Sequence, residues 1–107
     1  PAQIVELFEY HYSRSRRPNQ TRFCFYCGIT NDEDTCLRRH EIDSFLITCE
    51  TASQEIAAEV EGLLHDAGYD TGRDQHGGNG GVDDSVFVYM YMKGPQTNEG
   101  RRIQPVI

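Results

Sequence analysis

The chain has 107 residues, a formal net charge of −7, four cysteines and no tryptophan. This length indicates one small domain with a modest stability margin, and no apolar run is long enough to cross a bilayer. The first residues lack the continuous apolar segment of a signal peptide. We therefore expect a cytoplasmic protein that does not bind a membrane and whose cysteines are reduced.

The first predicted element is a β-hairpin. Residues Gln3 to Tyr12 are rich in apolar and aromatic β-forming side chains, and they predict a strand with imperfect alternation. The polar and charged segment 13–20 predicts the hairpin loop. The aromatic segment from Thr21 to Ile29 predicts the second strand.

A short helix and a third strand are predicted next. Asn31 or Asp32 is expected to cap a helix that ends near Glu41, because acidic residues lie at its start and arginines at its end. The third strand is expected over Ser44 to Cys49, which contains a run of Phe, Leu and Ile.

The second half of the chain predicts one more helix and one more strand. Thr51 and Gln54 resemble a capping box, and the apolar residues after them recur at helical spacing up to Gly68, which is a fitting C-cap. A glycine-rich loop over residues 69–84 leads to the last strand, Ser85 to Met92. Both faces of this strand are apolar or aromatic, so we expect it inside a sheet.

Together these elements predict an α+β fold. It is a small single-domain sandwich with a mostly antiparallel sheet, in the order β-β-α-β-α-β, covered by helices. The domain is expected to span residues 1–93, and the polar segment 94–107 is expected to be a tail.

Arginines are concentrated in the first half of the chain. Residues 1–48 hold six arginines and seven acids, whereas residues 49–107 hold four Lys or Arg and ten acids. Clustered guanidinium groups can bind phosphate even on an acidic protein, so the region from Arg14 to Arg39 predicts contact with nucleic acid. A protein partner, or an ordinary solvated loop, is the alternative. The expected nucleic-acid contacts are Arg14, Arg16, Arg17 and Arg22.

The segment Tyr26–Asp32 and the helix after it resemble a known family. The segment reads Tyr-Cys-Gly-Ile-Thr-Asn-Asp, and His40 lies twelve positions after Gly28, directly preceded by Arg39. This order and spacing resemble the GIY-YIG nucleases. Their opening hairpin has a second strand that ends in Tyr-Ile-Gly, several members continue as Gly-Ile-Thr, a polar residue and Asp, and a His follows twelve residues after the glycine.

The resemblance extends to the later helix. The family's metal-binding Glu lies in an Ala-rich apolar context, and Ala57-Ala58-Glu59-Val60-Glu61 is similar. The resemblance implies a metal-dependent endonuclease that hydrolyses phosphodiester bonds with Mg²⁺ or Mn²⁺. In it, tyrosines would position or activate water, an arginine would stabilise the phosphate, and a histidine would assist proton transfer. The implied metal ligand is Glu61, with Glu59 as its alternative, and the implied catalytic residues are Tyr10, Tyr26, Arg38, Arg39 and His40.

Two departures from the family pattern favour a second hypothesis. The first motif, Gly-Ile-Tyr, is absent, so only Tyr10 can replace its tyrosine. The family's arginine falls eight residues after the glycine, where this chain has Cys36. A protein that has the same scaffold but no catalytic activity, and that binds nucleic acid or another protein, is therefore an alternative to the nuclease.

A small zinc-binding protein is a third hypothesis. Cys24 and Cys27 form a Cys-x-x-Cys-Gly turn, and Cys36 and His40 are spaced by one helical turn, as ligands on a helix are. However, a regular strand would direct Cys24 and Cys27 to opposite faces of the sheet. The predicted metal is therefore Mg²⁺ or Mn²⁺ in preference to zinc.

Overall fold

The computed structural model describes residues 1–72 and 84–100, and these form three α-helices and a three-stranded antiparallel sheet. The predicted α+β class with an antiparallel sheet is confirmed, but the element order is α-β-α-β-α-β. One turn of 3-10 helix, Arg22–Cys24, precedes the first strand. The elements are α1 (Ala2–Ser15), β1 (Phe25–Thr30), α2 (Glu33–His40), β2 (Ile47–Glu50), α3 (Gln54–Ala67) and β3 (Phe87–Met92).

The predicted strand over residues 3–12, and the hairpin it would open, are wrong, because this segment belongs to α1. Its buried side chains, Phe8 and Tyr12, are four residues apart, and Ile4 packs against the same core one turn earlier. This is the period of a helix that buries one stripe. The imperfect alternation was therefore helical periodicity in a segment rich in β-forming residue types.

The last strand, β3, occupies the middle of the sheet, as its two apolar faces predicted. The strand order is β1-β3-β2, and both pairings are antiparallel. Gly28 is the register partner of Tyr89, and Tyr26 is the partner of Tyr91. The antiparallel neighbour of the Tyr-Cys-Gly strand is therefore a strand that follows it by about sixty residues, not the segment that precedes it.

The sheet separates two clusters of buried side chains. Cys27 belongs to the larger cluster, with Phe8 of α1 and Leu64 of α3. Tyr26, the neighbour of Cys27 along the strand, belongs to the smaller cluster with Cys36 of α2. Since successive strand residues point to opposite faces, Cys27 and Cys36 lie on opposite sides of the sheet.

The helix ends follow ordinary capping chemistry. The Asp32 side chain accepts a hydrogen bond from the Thr35 N–H at the start of α2, as predicted. At the start of α3 the cap is Ser53 and not Thr51, because the Thr51 hydroxyl lies 2.8 Å from the Val86 carbonyl oxygen. The helix ends at Gly68, whose φ of 113° is in the left-handed region that glycine tolerates.

The described part of the predicted tail, residues 94–100, lies against the domain. The Asn98 N–H donates to the carbonyl oxygen of His40, the last residue of α2. Most of the glycine-rich loop (73–83) and the rest of the tail (101–107) lie outside the described residues. Within the described ranges, no helix combines the length and the apolar character that crossing a membrane requires.

Candidate functional site

A cavity of about 690 Å³ brings together predicted site residues from three elements. It is lined by residues of β1, α2, α3 and β3, by Asn31 before α2, by residues 71–72 after α3, by Ser85 before β3, and by residues 99–100. The predicted residues among these are Tyr26, Arg39, His40 and Glu61.

His40 is fixed at both ring nitrogens and is only 3% exposed. Its Nδ1 lies 2.5 Å from the Asn98 carbonyl oxygen, and its Nε2 lies 2.8 Å from the Tyr89 hydroxyl. A carbonyl oxygen can only accept, so we assign the proton to Nδ1, which leaves Nε2 to accept from Tyr89. Burial lowers the pKa of His40, so the imidazole is neutral at pH 7.

Two tyrosines of β3, which the sequence analysis did not select, complete this network. Burial raises the pKa of both Tyr89 and Tyr91, so both are neutral phenols that donate. The Tyr91 hydroxyl lies 2.9 Å from His40 Nδ1 and donates to Glu99 at 2.8 Å. The available signal was their alternation in one strand, but nothing local placed that strand beside β1.

The absence of a side chain at Gly28 leaves room for the Tyr89 hydroxyl. A Cβ atom at Gly28 would lie 2.5 Å from the Tyr89 hydroxyl oxygen, which is closer than nonbonded atoms can approach. The glycine of the Tyr-x-Gly motif is thus required here by the close approach of a side chain from the neighbouring strand.

The structure distinguishes the two candidate arginines. Arg39 lines the cavity, and its Nη2 lies 3.5 Å from Cys36 Sγ, one helical turn back. Its guanidinium therefore lies beside the side chain of residue 36, the position at which the resemblance places the family's arginine. Both arginines are exposed, but Arg38 donates to the Thr35 hydroxyl at 3.2 Å and is not among the described residues that line the cavity.

The structure also distinguishes the two candidate metal ligands. Glu61 is 3% exposed and lines the cavity, whereas Glu59 is exposed. Among the described residues, no group of three or more His, Cys, Asp or Glu is placed to hold a metal ion. A single buried carboxylate such as that of Glu61 is the kind of ligand that Mg²⁺ accepts, because this ion keeps most of its own waters and needs one or two protein carboxylates.

The four proposed zinc ligands are not brought together. Cys27 and Cys36 lie on opposite sides of the sheet, as described above. His40 already uses both ring nitrogens for contacts within the protein. All four cysteines are free thiols.

Tyr10 lies away from the cavity. It is 54% exposed on α1, where the Arg14 guanidinium carbon lies 5.6 Å from its ring centroid. Because the segment is a helix and not a strand paired with β1, Tyr10 is not among the described residues that line the cavity.

Two of the four predicted nucleic-acid contacts are used within the protein. Arg16 donates to the carbonyl oxygens of residues 18 and 20. Arg22 pairs with Glu9 at 2.7 Å and lies 4.9 Å above the Tyr12 ring. Arg14 and Arg17 remain exposed on and just after α1. Glu9 therefore offsets the charge of Arg22, whereas Arg16 keeps its positive charge and is exposed like Arg14 and Arg17, so three of the four arginines can still attract a phosphate backbone.

Comparisons of the chain with models of protein families, with curated proteins and with solved structures found no match. The resemblance to GIY-YIG nucleases accordingly rests on the motif residues alone. Function is therefore inferred from the geometry of the cavity and from the residues that line it.

Proposed function

We propose that this protein hydrolyses phosphodiester bonds of nucleic acid at the cavity between β1, α2 and α3. The observation that carries the proposal is the joint placement of Tyr26, Arg39, His40 and Glu61 around one cavity. Each residue alone is common in proteins, but together they supply a base, a cation and a carboxylate, which phosphoryl chemistry requires.

The Tyr89–His40 pair supplies the proton acceptor. The phenol lines the cavity, and its hydroxyl lies 2.8 Å from the unprotonated Nε2 of a neutral imidazole. As an attacking water gives a proton to the Tyr89 oxygen, Tyr89 can pass its own proton to His40. Through Tyr89, β3 thereby supplies the tyrosine that the missing first motif would have supplied.

Arg39 supplies the positive charge. Negative charge builds up on the phosphate oxygens in the transition state, and a guanidinium can bind two of these oxygens at once. The contact of Arg39 with Cys36 holds the guanidinium at the wall of the cavity. Arg39 therefore replaces the arginine that the family has at the position of Cys36.

Glu61 is the residue that would hold Mg²⁺ or Mn²⁺. When bound, such an ion neutralises charge on the phosphate and acidifies water. Glu61 is suited to this because it is buried on a helix and lines the cavity, so its carboxylate is presented from a rigid element.

The test compares Glu61→Gln with the matched control Glu59→Gln, two residues earlier on the exposed side of α3. Hydrolysis of bis(p-nitrophenyl) phosphate and nicking of plasmid are measured with Mg²⁺ and Mn²⁺. We expect Glu61→Gln to lower the rate by about 100-fold or more, and Glu59→Gln to cut like the wild type. Equal rates for both variants and the wild type would overturn the assignment.

A binding module without activity is the second candidate. Cys36 in place of an arginine, and the carboxylates of Glu61 and Glu99 in one cavity, favour it. It predicts that the wild type hydrolyses neither substrate with either ion, which the same assay decides.

A further inference from the structure

One buried hydroxyl, on a residue of the cavity wall, has no partner. Of the buried side-chain nitrogen and oxygen atoms in residues 1–72 and 84–100, only Ser85 Oγ makes no hydrogen bond. Ser85 is fully buried, yet it is one of the residues that line the cavity, two positions before β3. A buried hydroxyl without a partner lowers stability, so its presence calls for an explanation.

The other hydroxyls of the cavity are already used. Tyr26 donates to the Thr71 carbonyl, Thr30 donates to the Asp32 carbonyl, and the Thr71 hydroxyl contacts His65. The Tyr89 hydroxyl is bonded to the imidazole of His40. Ser85 therefore carries the one side-chain hydroxyl in the described cavity wall that makes no hydrogen bond within the protein.

The charge around the cavity indicates what that ligand is. Arg39 offers a cation at the wall, and Ser85 offers a neutral donor. An anion with two equivalent oxygens can satisfy both, one oxygen each, and a phosphodiester has two such non-bridging oxygens. Glu61 and Glu99 in the same cavity would repel this anion unless a divalent cation accompanied it.

We propose that the Ser85 hydroxyl donates a hydrogen bond to a non-bridging oxygen of a phosphate bound in this cavity. The proposal rests on the proposed function and adds a phosphate-binding residue to it. Ser85 thus belongs to the site because it binds the ligand, and the free protein tolerates its unsatisfied hydroxyl for that reason.

The test is the stability and phosphate affinity of Ser85→Ala. No hydrogen bond is lost in the free protein, so its melting temperature should stay the same or rise, by about 4–8 °C if an unsatisfied hydroxyl is fully relieved. Affinity for inorganic phosphate with Mg²⁺ present, measured by ³¹P NMR titration, should fall about tenfold or more.

Ser53→Ala is the matched control. The Ser53 hydroxyl accepts from the Ile56 N–H at the start of α3, so this variant removes a serine hydroxyl that does have a partner. We expect the opposite result: a lower melting temperature and unchanged affinity for phosphate.

Three outcomes would overturn the proposal. A clear loss of stability in Ser85→Ala would show that the hydroxyl has a structural partner. Unchanged phosphate affinity would show that it makes no contact with the ligand. A lower affinity of Ser85→Ala for Mn²⁺ in the absence of phosphate, measured by water proton relaxation, would instead place Ser85 beside the water molecules bound to the ion.

The same measurements separate this proposal from the proposed function. If the wild type binds phosphate through Ser85 but hydrolyses no diester, the proposed function fails and the phosphate contact stands. If the wild type hydrolyses the diester while Ser85→Ala matches it in phosphate affinity, only the role of Ser85 fails.

Discussion

The lack of a Cβ atom at Gly28 determines where the phenol of Tyr89 lies. This phenol is the group that we propose accepts a proton from the attacking water. The Tyr89 hydroxyl lies against Gly28 on one side and at 2.8 Å from His40 Nε2 on the other. Any side chain at position 28 would push the ring out of this gap. The hydrogen bond to His40, which requires a separation below about 3.2 Å, would then be lost.

We predict that Gly28→Ala lowers both stability and activity. The added methyl group overpacks the gap, at a cost of about 1–3 kcal/mol in the free energy of unfolding, measured with urea. Hydrolysis should fall by about tenfold or more because the proton acceptor is displaced. Gly94→Ala is the control, since a Cβ there meets only the flexible Gln96 side chain. Equal urea midpoints for Gly28→Ala and the wild type would contradict the prediction.

Local spacing was enough to select the residues of the candidate site that lie on one short segment. Gly28, Arg39 and His40 follow from a strand end, a turn and a helix, and all three have a direct role in the structure. Tyr89 and Ser85 could not be predicted, because they lie about sixty residues further along the chain than Gly28. Their selection requires the register of β1 against β3, which no local pattern contains.

At the scale of elements, α1 shows why the sequence misled. Its residue types favour a strand, but its buried side chains repeat with a helical period, and burial outweighs intrinsic preference. The helix is held by a contact that sequence could not reveal. Glu9 accepts three hydrogen bonds from the Arg22 side chain and another from the Tyr69 hydroxyl after α3.

We predict that Glu9→Gln destabilises the protein by up to about 1 kcal/mol at pH 7, whereas Glu6→Gln on the exposed face of α1 changes little. The hydrogen bond from Arg22 lowers the pKa of Glu9 in the folded state. A lowered carboxyl pKa adds stability above the unfolded value of 4.5, and this is lost as pH falls through the folded value. The two urea curves should therefore converge in acid, and a difference that persists there would count against the ion pair.

At the scale of the whole molecule, the site is assembled from distant parts of the chain. The His40 imidazole contacts Tyr89 and Tyr91 of β3 and Asn98 beyond it. The fold class, most elements after α1 and the interior position of β3 were predicted, because each depends on local periodicity. The convergence of these parts depends on packing between elements, which periodicity leaves open.

We predict that His40 makes stability depend on pH below neutrality. Burial lowers its pKa from 6.5, so the unfolded chain binds a proton more readily than the folded protein does. With respect to His40, the free energy of unfolding is therefore at its full value above pH 6.5, the pKa in the unfolded chain. It falls as the pH drops towards the lower pKa of His40 in the folded protein. His40→Gln should remove this fall in the urea midpoint, and the control His11→Gln should keep it. Hydrolysis should also decline as His40 gains its proton, because the protonated ring accepts no further proton.

The middle position of β3 has a consequence for synthesis. In the described sheet, β1 and β2 each pair with β3 and not with each other, and β3 follows both along the chain. While a ribosome makes the protein, neither earlier strand can find its neighbour until residue 92 has emerged. Helices can form from local contacts before that moment, but the sheet, and with it the cavity, assembles only afterwards.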